Sequence, residues 1–340
     1  MQTRKPILHR WGRAGALVGV CVAGLVAIVG SGGGVDAPEC SFFSNVCNPT
    51  IGPIAVVTVS PARATVQVGG TATFATFVPA TNASYQWKHS SDGGLTYVAI
   101  PGATGPTYTL TGANLSDDGS SFSVDVSIPG TSVIGPVAAR LYVSSMPGVV
   151  FADTEFRASD WIATPIAVPP LNGPTSIDTS PATGGNPGAF RSMAYALTAG
   201  AASLRVFYIS QGANYDPAQL GAVYKIDYSE DCIVANASAS IGHVTSQPLV
   251  QQSGRKYLLA ASSFCRAPSW QPNAWITASA SEWVLVDGPP CGTSEACPDF
   301  SGSGAPLQLG YARSASQAGS APSGSVSHGI DNWKLTVWRR

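Results

Sequence analysis

The sequence predicts an all-β protein, and three observations carry this prediction. The 340 residues include 37 glycines and 26 prolines, while only 11% are charged, which is typical of many short strands joined by turns. From residue 54 onwards, apolar and polar residues alternate between clusters of Gly, Pro, Asn and Asp. The sequence of that region has no sustained helical period. Its length accommodates two domains, because one sandwich would leave a large remainder without a core.

The first 31 residues have the pattern of an export signal. Four basic residues within the first 13 precede an uninterrupted small and apolar run over 14–30. The run is at the short edge of what spans a bilayer, so we expect a cleaved signal peptide, with an uncleaved membrane anchor as the alternative. Residues 28–34 (IVGSGGG) resemble a bacterial lipoprotein signal in which Ser31 replaces the lipid-accepting cysteine. Residues 32–53, rich in Gly, Pro and Cys, are predicted to form a linker.

The charge balance limits the classes of partner. The sequence has 18 basic and 19 acidic residues, and removal of the four basic residues of the signal leaves a net charge of about −5. Nucleic-acid binding needs a basic footprint, so we exclude that class. We expect contact with a membrane only through an uncleaved N-terminal segment.

Cysteine usage agrees with export. Apart from Cys21 in the apolar run, six cysteines remain, an even number in a chain leaving the cytosol. Pairing by proximity in sequence predicts three disulfides, although six cysteines allow fifteen pairings. The predicted pairs are Cys40 with Cys47, Cys232 with Cys265, and Cys291 with Cys297. We therefore expect the protein in the periplasm, the outer cell envelope or the extracellular space.

Seven short strands are predicted in residues 54–144: 54–59, 71–78, 84–89, 97–100, 107–111, 121–127 and 133–143. Residues 68–74 (VGGTATF), 85–87 (YQW), 100–104 (IPGAT) and 117–119 (DDG) before Phe122 resemble a bacterial Ig-like domain. The resemblance implies an Ig-like β-sandwich over 54–144.

More strands are predicted in residues 149–340: 149–153, 190–197, 203–210, 223–228, 256–262, 274–279, 282–286, 307–312 and 332–338. Residues 151–156 (FADTEF), 184–188 (GGNPG) and 328–333 (HGIDNW) resemble concanavalin-like or laminin-G-like jelly rolls, which include carbohydrate-binding modules. The resemblance implies a jelly-roll β-sandwich over 149–340, with its first and last strands paired.

This second resemblance also implies a structural calcium ion. Its matching acids are Asp153, Glu155 and Asp331. Calcium binds six to eight oxygens, so backbone carbonyls near Asn186 and Gly329 would have to complete the shell. The alternative is that these acids cap turns or face water.

A fragment at residues 225–230 (KIDYSE) bears on catalysis. It resembles the Glu-x-Asp-x-x-Glu strand of laminarinase-like glycoside hydrolases, which use two carboxyls that flank one bond. Lys225 occupies the position of the nucleophile, and a lysine cannot replace the carboxylate that this reaction requires. On a regular strand Lys225 and Asp227 share one face, while Glu230 points to the other. The sequence therefore predicts that the protein is not an enzyme.

Five residues of the second domain are candidates for ligand binding: Trp161, Asn186, Arg191, Trp270 and His328. Indole rings stack on sugar rings, and the other three side chains form hydrogen bonds with polar groups. Trp270 is the most loop-like, because Pro268 and Pro272 flank it.

The sequence thus predicts an exported non-catalytic recognition protein. We expect the second domain to bind carbohydrate or another cell-surface ligand, with the Ig-like domain as a spacer. One alternative is a structural or adhesive envelope protein that binds other proteins. A glycan-cleaving enzyme is the other alternative, and fold alone cannot separate these functions.

Overall fold

The computed structural model describes residues 54–340, except for 79, 81, 135–137, 169–174, 242, 277–278, 287, 289–290 and 292–296. The predicted signal or anchor (1–31), the linker (32–53) and the Cys40–Cys47 disulfide lie outside the described residues. Strands dominate the described chain, and its α-helix is limited to the short α1 (Pro217–Leu220), which confirms the all-β prediction. No helix in the described part of the chain is long and apolar enough to span a membrane.

Ten strands form the first sandwich: β1 (Ile54–Val56), β2 (Thr58–Ser60), β3 (Arg63–Gln67), β4 (Thr71–Phe77), β5 (Ser84–Ser90), β6 (Val98–Ala99), β7 (Thr107–Thr111), β8 (Ser121–Ser127), β9 (Ser132–Ile134) and β10 (Ala139–Ser144). A three-stranded sheet, β2-β4-β7, lies opposite a five-stranded sheet, β3-β10-β8-β5-β6, while β1 and β9 pair separately. This is the arrangement of an Ig-like sandwich. Strands β7 and β8 have the predicted bounds, whereas β3 was not predicted.

Period-two alternation explains the core of this sandwich. Along β4, Ala72, Phe74 and Thr76 are buried, while Thr71 and Thr73 on the other face are exposed. Phe74 stacks on Phe122 with ring centroids 5.1 Å apart. The fully buried Trp87 adds its indole to the same core. Its Nε1 donates a hydrogen bond to the Gly105 carbonyl at 3.0 Å, so the polar end of the ring is satisfied.

Thirteen strands form the second sandwich: β11 (Met146–Asp153), β12 (Trp161–Val168), β13 (Thr175–Thr179), β14 (Arg191–Leu197), β15 (Ala202–Tyr215), β16 (Val223–Ala237), β17 (Val244–Gln252), β18 (Arg255–Leu259), β19 (Ser263–Cys265), β20 (Gln271–Ile276), β21 (Trp283–Leu285), β22 (Leu307–Gln317) and β23 (Gly324–Arg339). One sheet has the order β13-β14-β23-β16-β20, with β11 also paired to β23. The other has the order β12-β15-β22-β17-β18-β21, with β19 paired to β17. Strands β12, β13, β17 and β19 were not predicted.

The first and last strands of this sandwich, β11 and β23, pair antiparallel, as the resemblance implied. Strand β23 also pairs with β14 and β16, so it is central to its sheet. A β-bulge interrupts it: two residues of β23 oppose Glu230 of β16, and Asn332 adopts a φ of 50°. Asparagine tolerates this left-handed conformation better than most residues, and a bulge changes where neighbouring side chains point.

The two sandwiches are in direct contact through β16 and the end of β23. The ammonium of Lys225 lies 3.2 Å from the centroid of the Tyr142 ring of the first sandwich. The hydroxyl of Thr65 donates to the Asp227 carboxylate at 3.2 Å. The hydroxyl of Ser144 donates to the backbone carbonyl of Arg339 at 2.6 Å. The first sandwich is therefore docked against the second through specific contacts, which the expectation of a simple spacer did not include.

Candidate functional site

A loop between β13 and β14 forms one side of the candidate site. Gly184 and Gly188 have φ angles of 99° and 94°, which favour glycine, and the N–H of Gly185 donates to the Gly188 carbonyl at 2.8 Å. A Cβ on Gly185 would lie 2.6 Å from the Asp331 carboxylate. The glycines thus allow the loop to approach β23 closely and to place Asn186 against it.

Three polar side chains connect this loop to the sheet. The Nδ2 of Asn332 donates to the Asn186 carbonyl at 2.5 Å and to the Asp231 carboxylate at 2.7 Å. The Nδ2 of Asn186 donates to the same oxygen of Asp231 at 3.1 Å. The bulge in β23 is what brings the Asn332 side chain to this position, because it shifts the alternation of the strand.

Asp331 binds the backbone of the loop between β13 and β14. Its side chain is fully buried, and its carboxylate accepts hydrogen bonds from the backbone N–H groups of Asn186 and, at 2.6 Å, Asn332. A buried carboxylate needs such donors, because it loses hydration on folding. Asp331 therefore positions Asn186, whose side chain is exposed.

Two aromatic rings lie beside this network. Trp270 and Phe190 are half-buried, and their rings meet edge to face with centroids 5.4 Å apart. The Nε1 of Trp270 donates to the Gly184 carbonyl at 3.1 Å. A Cβ on Gly329 would lie 3.0 Å from both rings, so this glycine lets them lie across the sheet. We call the group formed by Asn186, Phe190, Trp270, Asp231 and Asn332 the aromatic corner.

The aromatic corner brings together only two of the five predicted ligand-binding residues, Asn186 and Trp270. Trp161, Arg191 and His328 are buried between the sheets instead. The Arg191 guanidinium carbon lies 5.1 Å from the centroid of the Tyr208 ring, and the ring of His328 meets Tyr195 at 4.6 Å.

The three buried residues cannot contact a ligand at the surface. Burial, together with the nearby Arg313 charge, lowers the pKa of His328 well below its usual range, so this imidazole is neutral at physiological pH.

The proposed calcium ligands are not brought together. The Asp153 carboxylate accepts from the backbone N–H groups of Glu155 and Phe156 at 2.8 and 2.9 Å, and from Trp161 Nε1 at 2.6 Å. Glu155 is exposed, and Asp331 binds the loop described above. In the described part of the chain, neither Asp153, Glu155 nor Asp331 belongs to a group of three candidate ligand atoms within 4.8 Å. Placed in this way, the three carboxylates do not fit one shared calcium shell.

One group of candidate metal ligands does occur among residues 54–340 as described: Glu230, Cys232 and Cys265. The two sulfurs form a disulfide, so they are not thiolate ligands. Cys291 and Cys297 form a second disulfide. Both bonds agree with the pairing predicted from sequence.

Glu230 lies in the interior, opposite the face that carries Lys225 and Asp227. Its carboxylate accepts from Tyr228 at 2.5 Å and Ser246 at 2.7 Å, and it forms a fully buried ion pair with Arg313 at 3.1 Å. Burial lowers the pKa of Lys225 to about 8 and raises the pKa of Asp227 to about 6. In fragment 225–230, Lys225 and Asp227 therefore lie in the interface with the first sandwich, and Glu230 lies in the core of the second.

A separate cavity of about 310 Å³ lies against the seven-stranded sheet. Its lining is mainly aliphatic, with Arg205 and Gln247 as polar members. None of the predicted ligand-binding residues lines it, so it does not extend the aromatic corner.

Sequence reasoning missed Phe190, Asp231 and Asn332 of this site, and it considered Gly329 only for its backbone carbonyl. A signal was present in residues 329–332 (GIDN), where a glycine and an asparagine interrupt a strand and indicate a bulge or a close approach.

No family model matches the chain, and no curated protein matches it. Among solved structures, it is similar to the N-terminal eight Ig domains of Down Syndrome Cell Adhesion Molecule isoform 1.30.30, at 11% identity and a TM-score of 0.22. The match covers 59% of this chain and 33% of that one. This likeness is too distant to inform function.

Proposed function

We propose that this is an exported, non-catalytic recognition protein that binds carbohydrate or another surface ligand at the aromatic corner. The observation that carries the proposal is the partly exposed ring pair of Trp270 and Phe190 beside the exposed amide of Asn186. Sugars present both C–H faces and hydroxyl groups, so a site for them combines an aromatic surface with hydrogen-bonding side chains.

The polar half of the corner supports recognition of hydroxyl groups. Asp231 is half-buried and accepts two amide hydrogens on one carboxylate oxygen, and a carboxylate has further lone pairs that can accept from hydroxyl groups. Asn186 contributes an exposed side-chain amide beside it. Two acceptors of this kind beside a ring pair favour a sugar residue over a purely apolar ligand.

Burial of Glu230 supports a non-catalytic role. A glycosidase acid must reach the scissile bond, yet this carboxylate is 1% exposed and is bound by Arg313, Tyr228 and Ser246. Lys225 and Asp227 face the first sandwich on the opposite side of β16. No pair of carboxyls from fragment 225–230 can flank a bound sugar.

The disulfides support export. Cys232–Cys265 and Cys291–Cys297 are both formed, and disulfides persist in oxidising compartments rather than in the cytosol. The periplasm, the outer envelope and the extracellular space all meet this condition.

A glycan array tests the proposal. The full chain is applied with and without calcium, alongside the Trp270→Ala variant and a control, Phe264→Ala, which removes another partly exposed ring at 46% exposure. We expect binding to at least one glycan, its loss with Trp270→Ala and its retention with Phe264→Ala. Absence of binding to every glycan would overturn carbohydrate recognition and would favour the structural or adhesive alternative.

A further inference from the structure

The seven-stranded sheet of the second sandwich carries a buried apolar cluster on its outer face. Along β15, the main core contains Leu204, Val206 and Tyr208. Phe207 and Ile209 alternate with them and therefore point to the opposite side of the sheet. An antiparallel sheet with one solvated face has polar residues on that face, so simple alternation does not account for the cluster. Its members are Phe207, Ile209, Leu249, Leu258 and Ala312.

The cavity of about 310 Å³ borders this outer cluster. Leu258 lines the cavity and belongs to the cluster, and Val286 lines the cavity and packs against the cluster. Leu259, Val284 and Leu285 extend the aliphatic wall. A cavity of this size is at the lower end of those that hold small molecules. The wall therefore gives a small apolar group a position away from water.

Arg205 adds a positive charge to the lining of this cavity. It is half-buried and lies on the same side of β15 as Phe207. Its Nε donates a hydrogen bond to the Ser314 hydroxyl at 3.0 Å, which orients the guanidinium. Within the described residues, Arg205 forms no ion pair. Its remaining N–H groups can therefore bind an anion, and a guanidinium binds a carboxylate through two parallel hydrogen bonds.

A second cation reaches over the same face. The ammonium of Lys256 lies 5.8 Å from the centroid of the Phe207 ring, and the backbone carbonyl of Lys256 accepts from the Val286 N–H at 2.9 Å. Lys256 likewise has no ion pair in the part of the chain that the structure describes. None of the described residues that line the cavity is acidic. The electrostatic potential at the cavity therefore favours an anion.

The charge and the aliphatic wall together select the class of ligand. A neutral apolar molecule would desolvate the guanidinium of Arg205 without supplying a counter-charge. An inorganic anion would leave the wall in contact with water. An alkyl carboxylate satisfies both requirements, because its charged end pairs with Arg205 and its chain removes the wall from water.

We propose that this cavity binds a small free carboxylate with an aliphatic chain. Arg205 holds the charged end, and Leu258, Val284 and Val286 contact the chain. This site is separate from the aromatic corner, and it does not depend on the function proposed there.

Titration calorimetry of the full chain with acetate, butanoate, hexanoate and octanoate tests the inference at neutral pH. We expect acetate to bind weakest, and the dissociation constant to fall by about fourfold for each added CH₂ until the cavity is full. Hexanol keeps the chain of hexanoate but lacks its charge, so it should bind about tenfold more weakly.

Two variants change the cavity without changing a buried side chain. Arg205→Gln should weaken hexanoate binding by about tenfold and leave hexanol binding unchanged. Ala260→Glu, at an exposed position of the lining, should also weaken hexanoate binding, because the new carboxylate competes for Arg205. The matched controls are Arg157→Gln and Ala218→Glu, at exposed positions outside the cavity. An unchanged thermal melt verifies that each variant folds.

Three results would overturn the inference. The first is wild-type protein that binds none of the four carboxylates. The second is equal affinity for hexanoate and hexanol, or hexanoate binding that both cavity variants retain in full. The third is loss of hexanoate binding in Trp270→Ala, because the ligand would then bind at the aromatic corner. Hexanoate binding that is kept in Trp270→Ala and weakened in Arg205→Gln supports the cavity, whatever the outcome of the glycan array.

Discussion

The guanidinium of Arg313 lies 3.1 Å from the carboxylate of Glu230, and both side chains are fully buried between the two sheets of the second sandwich. The same carboxylate accepts hydrogen bonds from Tyr228 and Ser246, so its negative charge is well compensated. The net stabilisation from such a buried ion pair is small, but removal of one partner is costly because it leaves the other charge buried and unpaired.

Replacement of Arg313 by Met should lower the free energy of unfolding by about 3–5 kcal/mol, because it leaves a buried carboxylate without its counter-charge. Chemical denaturation measures the loss. The control is Lys88→Met, which breaks an exposed pair with Asp125 and should cost about 1 kcal/mol or less. The double variant Arg313→Met with Glu230→Met should lose less than the sum of the two single variants. Additive losses would argue against coupling.

Stability of the docked sandwiches should depend on the protonation of Asp227. Burial raises its pKa to about 6 from 3.8, so the folded state binds more protons than the unfolded state between these values. The contribution of Asp227 to the free energy of unfolding therefore falls as pH rises from about 4 to about 6, and is constant above.

Asp227→Asn removes this dependence while keeping an acceptor for the Trp338 indole, which donates to Asp227 at 2.6 Å. We expect the variant to gain stability relative to wild type as pH rises through the same window, measured by denaturation at several pH values. The control is Asp125→Asn at an exposed carboxylate. A parallel pH profile for wild type and Asp227→Asn would contradict the prediction.

Gly329→Ala should destabilise the aromatic corner. The added Cβ lies 3.0 Å from Ile233, Phe190 and Trp270, which is tighter than normal packing allows. We expect a loss of about 1–3 kcal/mol in the free energy of unfolding, typical of overpacking, together with weaker glycan binding. Gly212→Ala is the matched control, because nothing lies within 4 Å of its Cβ. Equal free energies of unfolding for the two variants would contradict the prediction, because they would show that the Phe190 and Trp270 rings move aside without loss of stability.

A chelator should leave the thermal melt unchanged. Asp153, Glu155 and Asp331 have separate surroundings, so no shared calcium ion is expected to stabilise the native state. Melts with added calcium and with chelator measure this directly. A clear rise in Tm with calcium that Glu155→Gln abolishes would restore the calcium hypothesis.

Alternation and turn residues were enough to predict most strands, because each face of a strand repeats every second residue. The bounds of β7 and β8 agree with this pattern. Strand β17 was missed because Pro248 and several glutamines hide its alternation. In the structure Pro248 pairs with Tyr311 of β22 on one side. On its other side, β18 pairs only with residues 249–252 of β17 and β19 only with residues 244–246, so Pro248 lies between them. Proline is tolerated at such a position because its missing N–H breaks no strand pairing there.

The site was harder to predict than the fold. Arg191 and His328 look like surface residues in sequence, since polar side chains are mostly exposed. Their burial depends on partners from distant strands, such as Tyr208 and Tyr195, that no local pattern reveals. Asn186 and Trp270 were found because they lie in loops, where periodic burial does not apply.

The contacts of Lys225 with Tyr142 and of Asp227 with Thr65 have a consequence for the way the aromatic corner is presented. They replace a free tether with a docked interface, so side chains rather than a linker set the orientation of the first sandwich relative to the corner. A ligand at the corner would then be held in a direction that the protein itself fixes, which a flexible linker would leave open.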